Sequence, residues 1–142
     1  WLYGPGGPSY VHTLMRMAQE GTSEVRAASD QKGCPTSTYA VAAVIRKLLR
    51  SPRLMGTLHL SCGGEASRYD FARAVFELAG LGQKVVPCLS GEIPGSAVEP
   101  RSLKLENRML GMFGLPPMPD WRTALADFMR REFSPAAGGS VR

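Results

Sequence analysis

The sequence predicts an α/β or α+β fold, and two features of its pattern indicate such a mixed class. Segments with apolar residues at helical spacing alternate with short segments of strand-like composition. Glycines such as Gly21 and Gly80 follow the helix-like segments, where they can end a helix. With 142 residues, 44% of them hydrophobic, the chain is long enough for one folded unit with its own core.

The first predicted helix begins after Ser9, whose side chain can cap it, and ends at Gly21. Its apolar face has the i, i+3, i+4, i+7 spacing and consists of Val11, Leu14, Met15 and Ala18. Residues 24–28 are predicted to form a short strand. Residues 30–38 contain glycine and proline and are therefore predicted to be a loop.

A second helix follows this loop, and its predicted apolar face consists of Val41, Val44, Ile45 and Leu48. Residues 57–61 alternate apolar and polar side chains, as a strand does, and Gly63 and Gly64 end that strand. The third helix is the most strongly indicated, because Ser67 and Asp70 have the spacing of a capping box. Its predicted core face consists of Phe71, Val75, Phe76 and Leu78.

The remaining third begins with a predicted strand over residues 84–89. Residues 92–101 are rich in proline and are predicted to be extended. Residues 102–113 are predicted to be helical, with Leu110 and Phe113 directed inward.

A last helix is predicted after Asp120, which can cap it. Its core face consists of Trp121, Leu125 and Phe128. Residues 134–142 are of low complexity and are predicted to be a disordered tail, so residues 1–133 form the predicted folded unit.

The net charge of +5 does not by itself indicate a nucleic-acid partner, because the basic residues are scattered. The densest cluster consists of Arg46, Lys47, Arg50 and Arg53. No aromatic residue is interleaved with these bases to stack on nucleobases, so the cluster is predicted to be a solvated helix face.

The sequence has no run of about 20 apolar residues, which predicts a protein that does not span a membrane and resides in the cytoplasm. Cys34, Cys62 and Cys88 are an odd number of widely separated cysteines. This spacing suits neither a disulfide framework nor a zinc site, so reduced and partly buried thiols are predicted.

A search for catalytic groups finds only weak signals. No G-x-G-x-x-G motif occurs, and residues 4–7 lack suitable N–H donors because prolines lie within and after them. Tyr69 and Arg73 have the spacing of the Tyr-x-x-x-Lys pair of short-chain reductases, but arginine does not pass on a proton. His12 and His59 have no companion ligands. Residue chemistry alone therefore indicates an α/β unit without catalytic machinery.

Four blocks of the sequence resemble, in the same order, segments of the dTDP-4-dehydrorhamnose reductases. Residues 1–7, WLYGPGG, are similar to the family element W-V-Y-G-x-G-G, and residues 30–36, DQKGCPT, to its D-Q-x-G-x-P-T loop. Residues 59–80 resemble the segment after the cofactor domain, and residues 113–125 resemble its F-G-hydrophobic and P-x-W-R-x-A-L patterns. These blocks correspond only to the carboxy-terminal half of the family.

The resemblance implies the carboxy-terminal, substrate-binding part of a Rossmann-type extended short-chain reductase, without the dinucleotide-binding half. Family members reduce the 4-keto group of a dTDP-linked deoxysugar with NADPH or NADH to complete dTDP-L-rhamnose synthesis, and some use Mg²⁺. The cofactor glycines and the Tyr/Lys pair would lie upstream of Trp1, in the protein's own amino-terminal Rossmann half. This chain is therefore expected not to bind the cofactor, and a homodimer is a further expectation.

Several site residues follow from the resemblance. Trp1 matches the family tryptophan that lies against the sugar, and Gln31, Pro35 and Thr36 match the loop beside the substrate pocket. The polar groups of Gln31 and Thr36 are expected to contact substrate. The alternative for each is structural, with Trp1 an ordinary strand residue and Pro35 with Thr36 simply starting the following helix.

The chain also departs from the family at three positions. Ala40 replaces the aspartate near the start of the second helix, and Arg68 replaces the tryptophan before Tyr69. Glu99 replaces the arginine of the substrate-side loop, so either Arg101 supplies the substrate-binding cation or the substrate differs.

A second class of function stays open, namely a non-catalytic binding or regulatory subunit. The regulatory subunit of methionine adenosyltransferase resembles these reductases and serves a partner enzyme, so the fold does not decide between the two. A free-standing interaction domain is a third alternative, which requires that Trp1 be the start of the protein. The sequence upstream of Trp1 discriminates between these readings.

Overall fold

The computed structural model describes residues 1–50, 56–95 and 100–133. Its helices, in chain order, are α1 (Tyr10–Gln19), α2 (Thr38–Leu48), α3 (Arg68–Leu78), α4 (Arg108–Met112) and α5 (Trp121–Phe133). Its strands are β1 (Leu2–Tyr3), β2 (Glu24–Ala28), β3 (Lys32–Gly33), β4 (Thr36–Ser37), β5 (Ala66–Ser67), β6 (Lys84–Cys88) and β7 (Ser102–Leu103). This order of strands and helices confirms the predicted α/β class.

The strands form three small sheets. The longest pair is parallel and joins β2 to β6, with Glu24 opposite Lys84 and Ala28 opposite Cys88. A second parallel pair joins β1 to β4. In the third sheet β3 is central, antiparallel to β5 and parallel to β7. The third sheet brings the loop after β2 next to the start of α3, where the candidate site lies.

The predicted caps are present and explain where the helices begin. The Ser9 hydroxyl accepts a hydrogen bond from the backbone N–H of His12 at the start of α1. Ser67 and Asp70 form both hydrogen bonds of a capping box at the start of α3. The Asp120 carboxylate accepts a hydrogen bond from the Arg122 N–H at 2.8 Å, at the start of α5.

The core lies between α1, α3 and α5 and is rich in aromatic rings. The centroid of the Tyr3 ring lies 5.4 Å from that of Phe71 and 5.1 Å from that of Phe128. Trp121 packs on Phe71 with centroids 5.9 Å apart. Such tilted and edge-on contacts stabilise a core beyond the burial of area alone. β1, at the beginning of the chain, is thereby fixed to the last helix.

The predicted strand over residues 57–61 is wrong. This segment runs without a partner strand in the described part of the chain. Side chains bind the backbone where the segment ends, at Ser61 and the following Cys62. The Ser61 N–H donates to Asn107 Oδ1 at 2.9 Å, and the Cys62 N–H donates to Thr36 Oγ1 at 3.0 Å. The predicted helix over residues 102–113 is also too long, since Ser102 pairs in β7 and only Arg108–Met112 are helical.

Two further boundaries differ from the prediction. The loop over residues 30–38 contains β3 and β4, which pair with strands distant in the sequence. The extended segment over residues 92–101 begins instead with a 3₁₀ helix (Ser90–Glu92) and a turn. Glu99, Arg53 and the predicted tail over residues 134–142 lie outside the described residues.

Three side chains predicted to face the core are exposed: Ile45 by 44%, Leu78 by 45% and Phe113 by 38%. Ile45 follows the buried Val44 by one position, which is about 100° around the helix and away from the core. Leu78 and Phe113 lie at helix ends, where the packing partners no longer cover them. None of the helices in the described segments is long and apolar enough to cross a membrane.

Candidate substrate-binding site

A pocket of about 460 Å³ lies where the start of α1, the end of β2 and the start of α3 meet. Its walls include Ser9, Tyr10, Ala28, Gln31, Arg68 and Ile93. Polar groups and an aromatic ring thus surround a space large enough for part of a small ligand. A larger groove of about 810 Å³ between α2 and α5 is lined by alanines together with polar and charged side chains, and it contains none of the predicted site residues.

Gln31 reaches this pocket from a loop that is fixed on both sides. The Asp30 carboxylate accepts hydrogen bonds from the Ser90 backbone N–H at 2.9 Å and the Ser90 hydroxyl at 3.0 Å. These bonds, that from the backbone above all, hold the pKa of Asp30 below its usual value. On the other side, the Lys32 N–H donates to the Arg101 carbonyl at 2.9 Å. Gln31 itself is buried, with 6% of its surface exposed.

Trp1 lies behind the pocket, with its indole covered by two neighbours. A methyl group built on Gly33 would lie 2.9 Å from two carbons of the indole, so the ring rests directly on the Gly33 backbone. The Arg68 guanidinium lies 4.1 Å from the Trp1 ring centroid. The Trp1 Nε1 is buried without a hydrogen-bond partner in the described structure.

Tyr10 completes the pocket wall on the side of α1. The Arg68 guanidinium carbon lies 5.1 Å from the centroid of the Tyr10 ring, so one cation contacts two aromatic rings. Burial raises the pKa of Tyr10, which Arg68 partly offsets, so the phenol is neutral at physiological pH. Tyr10 can therefore donate a hydrogen bond to a ligand in the pocket.

Pro35 and Thr36 lie deeper than the pocket. Pro35 is fully buried and Thr36 is 3% exposed. The Thr36 hydroxyl donates to the Cys34 carbonyl at 2.8 Å and accepts from the Cys62 N–H at 3.0 Å. Both hydrogen bonds of the Thr36 hydroxyl are made within the protein. Thr36 thus holds the loop against the segment that follows α2.

Arg101 is exposed and is absent from the described pocket walls. Its carbonyl bond to Lys32 places it beside the loop that carries Gln31. Of the predicted site residues, only Gln31 lines the pocket. Trp1 lies behind Arg68, and Arg101 lies outside the pocket wall. Pro35 and Thr36 are buried in the fold. Contact of these residues with substrate stays a prediction.

Two residues of the pocket could not be predicted from the sequence. Tyr10 reads as the first residue of an amphipathic helix, with no feature that distinguishes it from a core residue. Arg68 differs from the tryptophan that the family has at this position, and the sequence gives no other sign that it lines a pocket. Both are far from Gln31 in the sequence and meet it only because α1 and α3 begin at the same end of the fold.

The turn over residues 4–7 does not fit the pyrophosphate of a dinucleotide. Residues 4–7 form a turn after β1, with Gly6 at φ +79°, but Pro5 and Pro8 offer no N–H to a pyrophosphate. The described residues contain no group of three or more His, Cys, Asp or Glu side chains that could hold a metal ion. The Mg²⁺ used by some family members therefore remains a prediction. The three cysteines are free, as predicted, and they are buried and not only partly buried.

The fold matches a solved dTDP-4-dehydrorhamnose reductase from Bacillus anthracis, determined in complex with NADP, with a TM-score of 0.86 and 32% identity. The match covers 93% of this chain and 46% of that one. Fold and site thus define the class as the carboxy-terminal part of a Rossmann-type extended short-chain reductase. The model of the RmlD substrate binding domain matches residues 1–133, and the chain belongs to this family.

Two relatives show how much of such proteins the chain represents. It is 34% identical over 134 residues to the spore coat polysaccharide biosynthesis protein SpsK of Bacillus subtilis, covering 94% of this chain and 46% of that protein. It is 36% identical over 129 residues to a dTDP-4-dehydrorhamnose reductase of Mycolicibacterium smegmatis, covering 89% and 39% respectively. The chain therefore spans a little under half the length of these relatives.

Proposed function

We propose that this chain is the substrate-binding portion of a dTDP-4-dehydrorhamnose reductase. Such an enzyme reduces the 4-keto group of dTDP-4-dehydro-L-rhamnose with NAD(P)H. The observation that carries the proposal is the loop over residues 30–36, which has the family's sequence and presents the buried Gln31 to a pocket. Membership of the substrate-binding family supports the same assignment.

In this proposal the pocket positions the nucleotide sugar and the cofactor lies on a separate half. Tyr10 and Gln31 supply neutral hydrogen-bonding groups, which suit the hydroxyl groups of a sugar. Removing one such bond costs about 0.5 to 1.5 kcal/mol, so each contributes modestly and several act together.

The protein's own amino-terminal half is the proposed partner of this chain. β1 pairs only with β4 among the described strands, which leaves its other edge open, and Leu2 on this strand is 66% exposed. A parallel pair of two-residue strands is too small to be stable alone and is normally part of a larger covered sheet. Further strands of the amino-terminal half would cover this edge.

The test uses the protein encoded by the complete reading frame. Consumption of NADPH is followed on addition of dTDP-4-dehydro-L-rhamnose, and binding of dTDP and of dTDP-L-rhamnose is measured by calorimetry. We expect turnover, and we expect Gln31→Leu to weaken the binding of dTDP-L-rhamnose about two- to tenfold. Gln19→Leu, at the exposed end of α1, is the matched control.

Two results would contradict the proposal in different ways. Binding of dTDP without any NADPH consumption would favour the non-catalytic binding subunit. No binding of dTDP or of the keto sugar would remove the nucleotide-sugar assignment altogether.

A further inference from the structure

The pocket at the starts of α1 and α3 has an apolar part beside its hydrogen-bonding groups. Four residues of its wall have side chains without a polar atom: Pro8, Ala27, Ala28 and Ile93. Ile93 has the largest of these side chains, and it is half-buried, so part of its surface stays accessible. A ligand in this pocket therefore meets hydrocarbon as well as hydrogen-bonding groups.

The segment that carries Ile93 is fixed to the loop that carries Gln31. The Ile93 N–H donates to the Ser90 carbonyl at 3.2 Å, at the end of the 3₁₀ helix. The Asp30 carboxylate accepts hydrogen bonds from both the backbone N–H and the hydroxyl of Ser90. Because Asp30 directly precedes Gln31, one anchor positions an apolar and a polar residue of the same pocket wall.

An apolar wall of this kind favours a methyl group of the ligand. Removal of one methyl or methylene group from water strengthens binding about fourfold. A hydroxyl in the same place lacks this gain, because it would leave water without a hydrogen-bonding partner on the apolar wall. A dTDP-linked 6-deoxysugar offers two methyl groups, one on the thymine ring and one at C6 of the sugar.

We propose that Ile93 is a specificity-determining residue, and that with the alanines at the end of β2 it forms a methyl-binding subsite. The subsite binds the methyl group of the thymine or that of the 6-deoxysugar. It makes the protein prefer a nucleotide sugar with this methyl group over one with hydrogen or hydroxymethyl in its place. The proposal rests on the proposed function in one respect, namely that this pocket takes a nucleotide sugar.

The experiment measures binding by calorimetry in the protein encoded by the complete reading frame. The pair dTDP and dUDP differs only in the methyl group of the base. The pair dTDP-L-rhamnose and dTDP-L-mannose differs only in a hydroxyl on C6 of the sugar.

Two variants of nearly equal size separate polarity from shape. Both Ile93→Val and Ile93→Thr keep a β-branched side chain, but only threonine places a hydroxyl on the pocket wall. Ile45→Thr is the matched control, because Ile45 is an exposed isoleucine on α2 and is not in the pocket wall. Circular dichroism verifies that each variant is folded.

We expect the unaltered protein and Ile93→Val to bind the methylated member of one pair about three- to tenfold more tightly. The pair that shows this preference identifies the methyl group in the subsite. Ile93→Thr should reduce the preference to less than about twofold, and Ile45→Thr should leave it unchanged. An equal preference in the threonine and valine variants of Ile93 would overturn this proposal and leave the proposed function intact. So would the absence of any preference in the unaltered protein, whereas its failure to bind any of the four probes would contradict both.

Discussion

The indole ring of Trp1 rests on the backbone of Gly33, where a methyl group would lie 2.9 Å from two ring carbons. This contact joins the first residue of the chain to the loop that carries Gln31. It gives a physical reason for glycine in this loop, which is close approach and not an unusual backbone angle, since Gly33 has no positive φ.

Gly33→Ala is expected to displace Trp1. A methyl group has no space there, and overpacking of this kind costs about 1 to 3 kcal/mol. Acrylamide quenching of tryptophan fluorescence should increase, because the displaced Trp1 becomes accessible to the quencher. Trp121 is buried in the core and stays protected, so the increase reports on Trp1. Gly7→Ala is the control, since nothing lies near its added methyl group. Equal quenching in the Gly33 variant and the unaltered protein would contradict the contact.

Thr36→Val is expected to destabilise the fold. The substitution leaves the buried N–H of Cys62 without its acceptor, which costs about 1 to 3 kcal/mol. Urea unfolding followed by circular dichroism measures the loss. Thr36→Ser keeps the hydroxyl and should lose less. If valine were as stable as threonine and impaired only substrate binding, the hydroxyl would belong to the site and not to the fold.

Ala40→Asp is expected to stabilise α2. Ser37 precedes this helix without a side-chain cap bond, and the first turn has no acidic residue. Residue 40 occupies the position that Asp70 occupies in the capping box of α3. An aspartate there would gain about 0.5 to 1 kcal/mol from the cap and the helix dipole. A rise in Tm is predicted for Ala40→Asp but not for Ala43→Asp, one turn further on; equal effects would exclude a cap.

The Asp70 carboxylate should make stability depend on pH. Burial raises the pKa of Asp70, but the hydrogen bonds from Ser67 lower it by more than burial raises it. The pKa therefore lies below the usual value. A lowered pKa contributes stability that is fully present above the unfolded value of about 3.9. This contribution is lost as pH falls through the folded pKa. The difference in unfolding free energy between the unaltered protein and Asp70→Asn should therefore shrink in acid; a constant difference would contradict this.

Local signals predicted the parts of the fold that depend on neighbouring residues. Ser67 and Asp70 are three positions apart, so their capping box is visible in the sequence, and the strand at 24–28 has the predicted bounds. Residues 57–61 have the alternation of a strand, but the backbone groups where this segment ends, those of Ser61 and the following Cys62, bond to side chains from distant segments. Pairing of this kind leaves no periodic pattern, so sequence reasoning could not exclude a strand.

Part of the candidate site could likewise be predicted from the sequence, and part could not. The loop over residues 30–36 is contiguous and could be found as a motif. Arg68 and Trp1 are in contact although they are far apart in the sequence, and no rule of residue spacing predicts such a contact. The motif also could not distinguish Gln31, which lines the pocket, from Thr36, whose hydroxyl is used inside the fold.

A crystal structure of the protein encoded by the complete reading frame, with dTDP-L-rhamnose bound, tests the central claim most directly. The account predicts the nucleotide sugar in contact with Gln31 and Tyr10, between the starts of α1 and α3. A nucleotide sugar bound elsewhere, such as in the groove between α2 and α5, would contradict it.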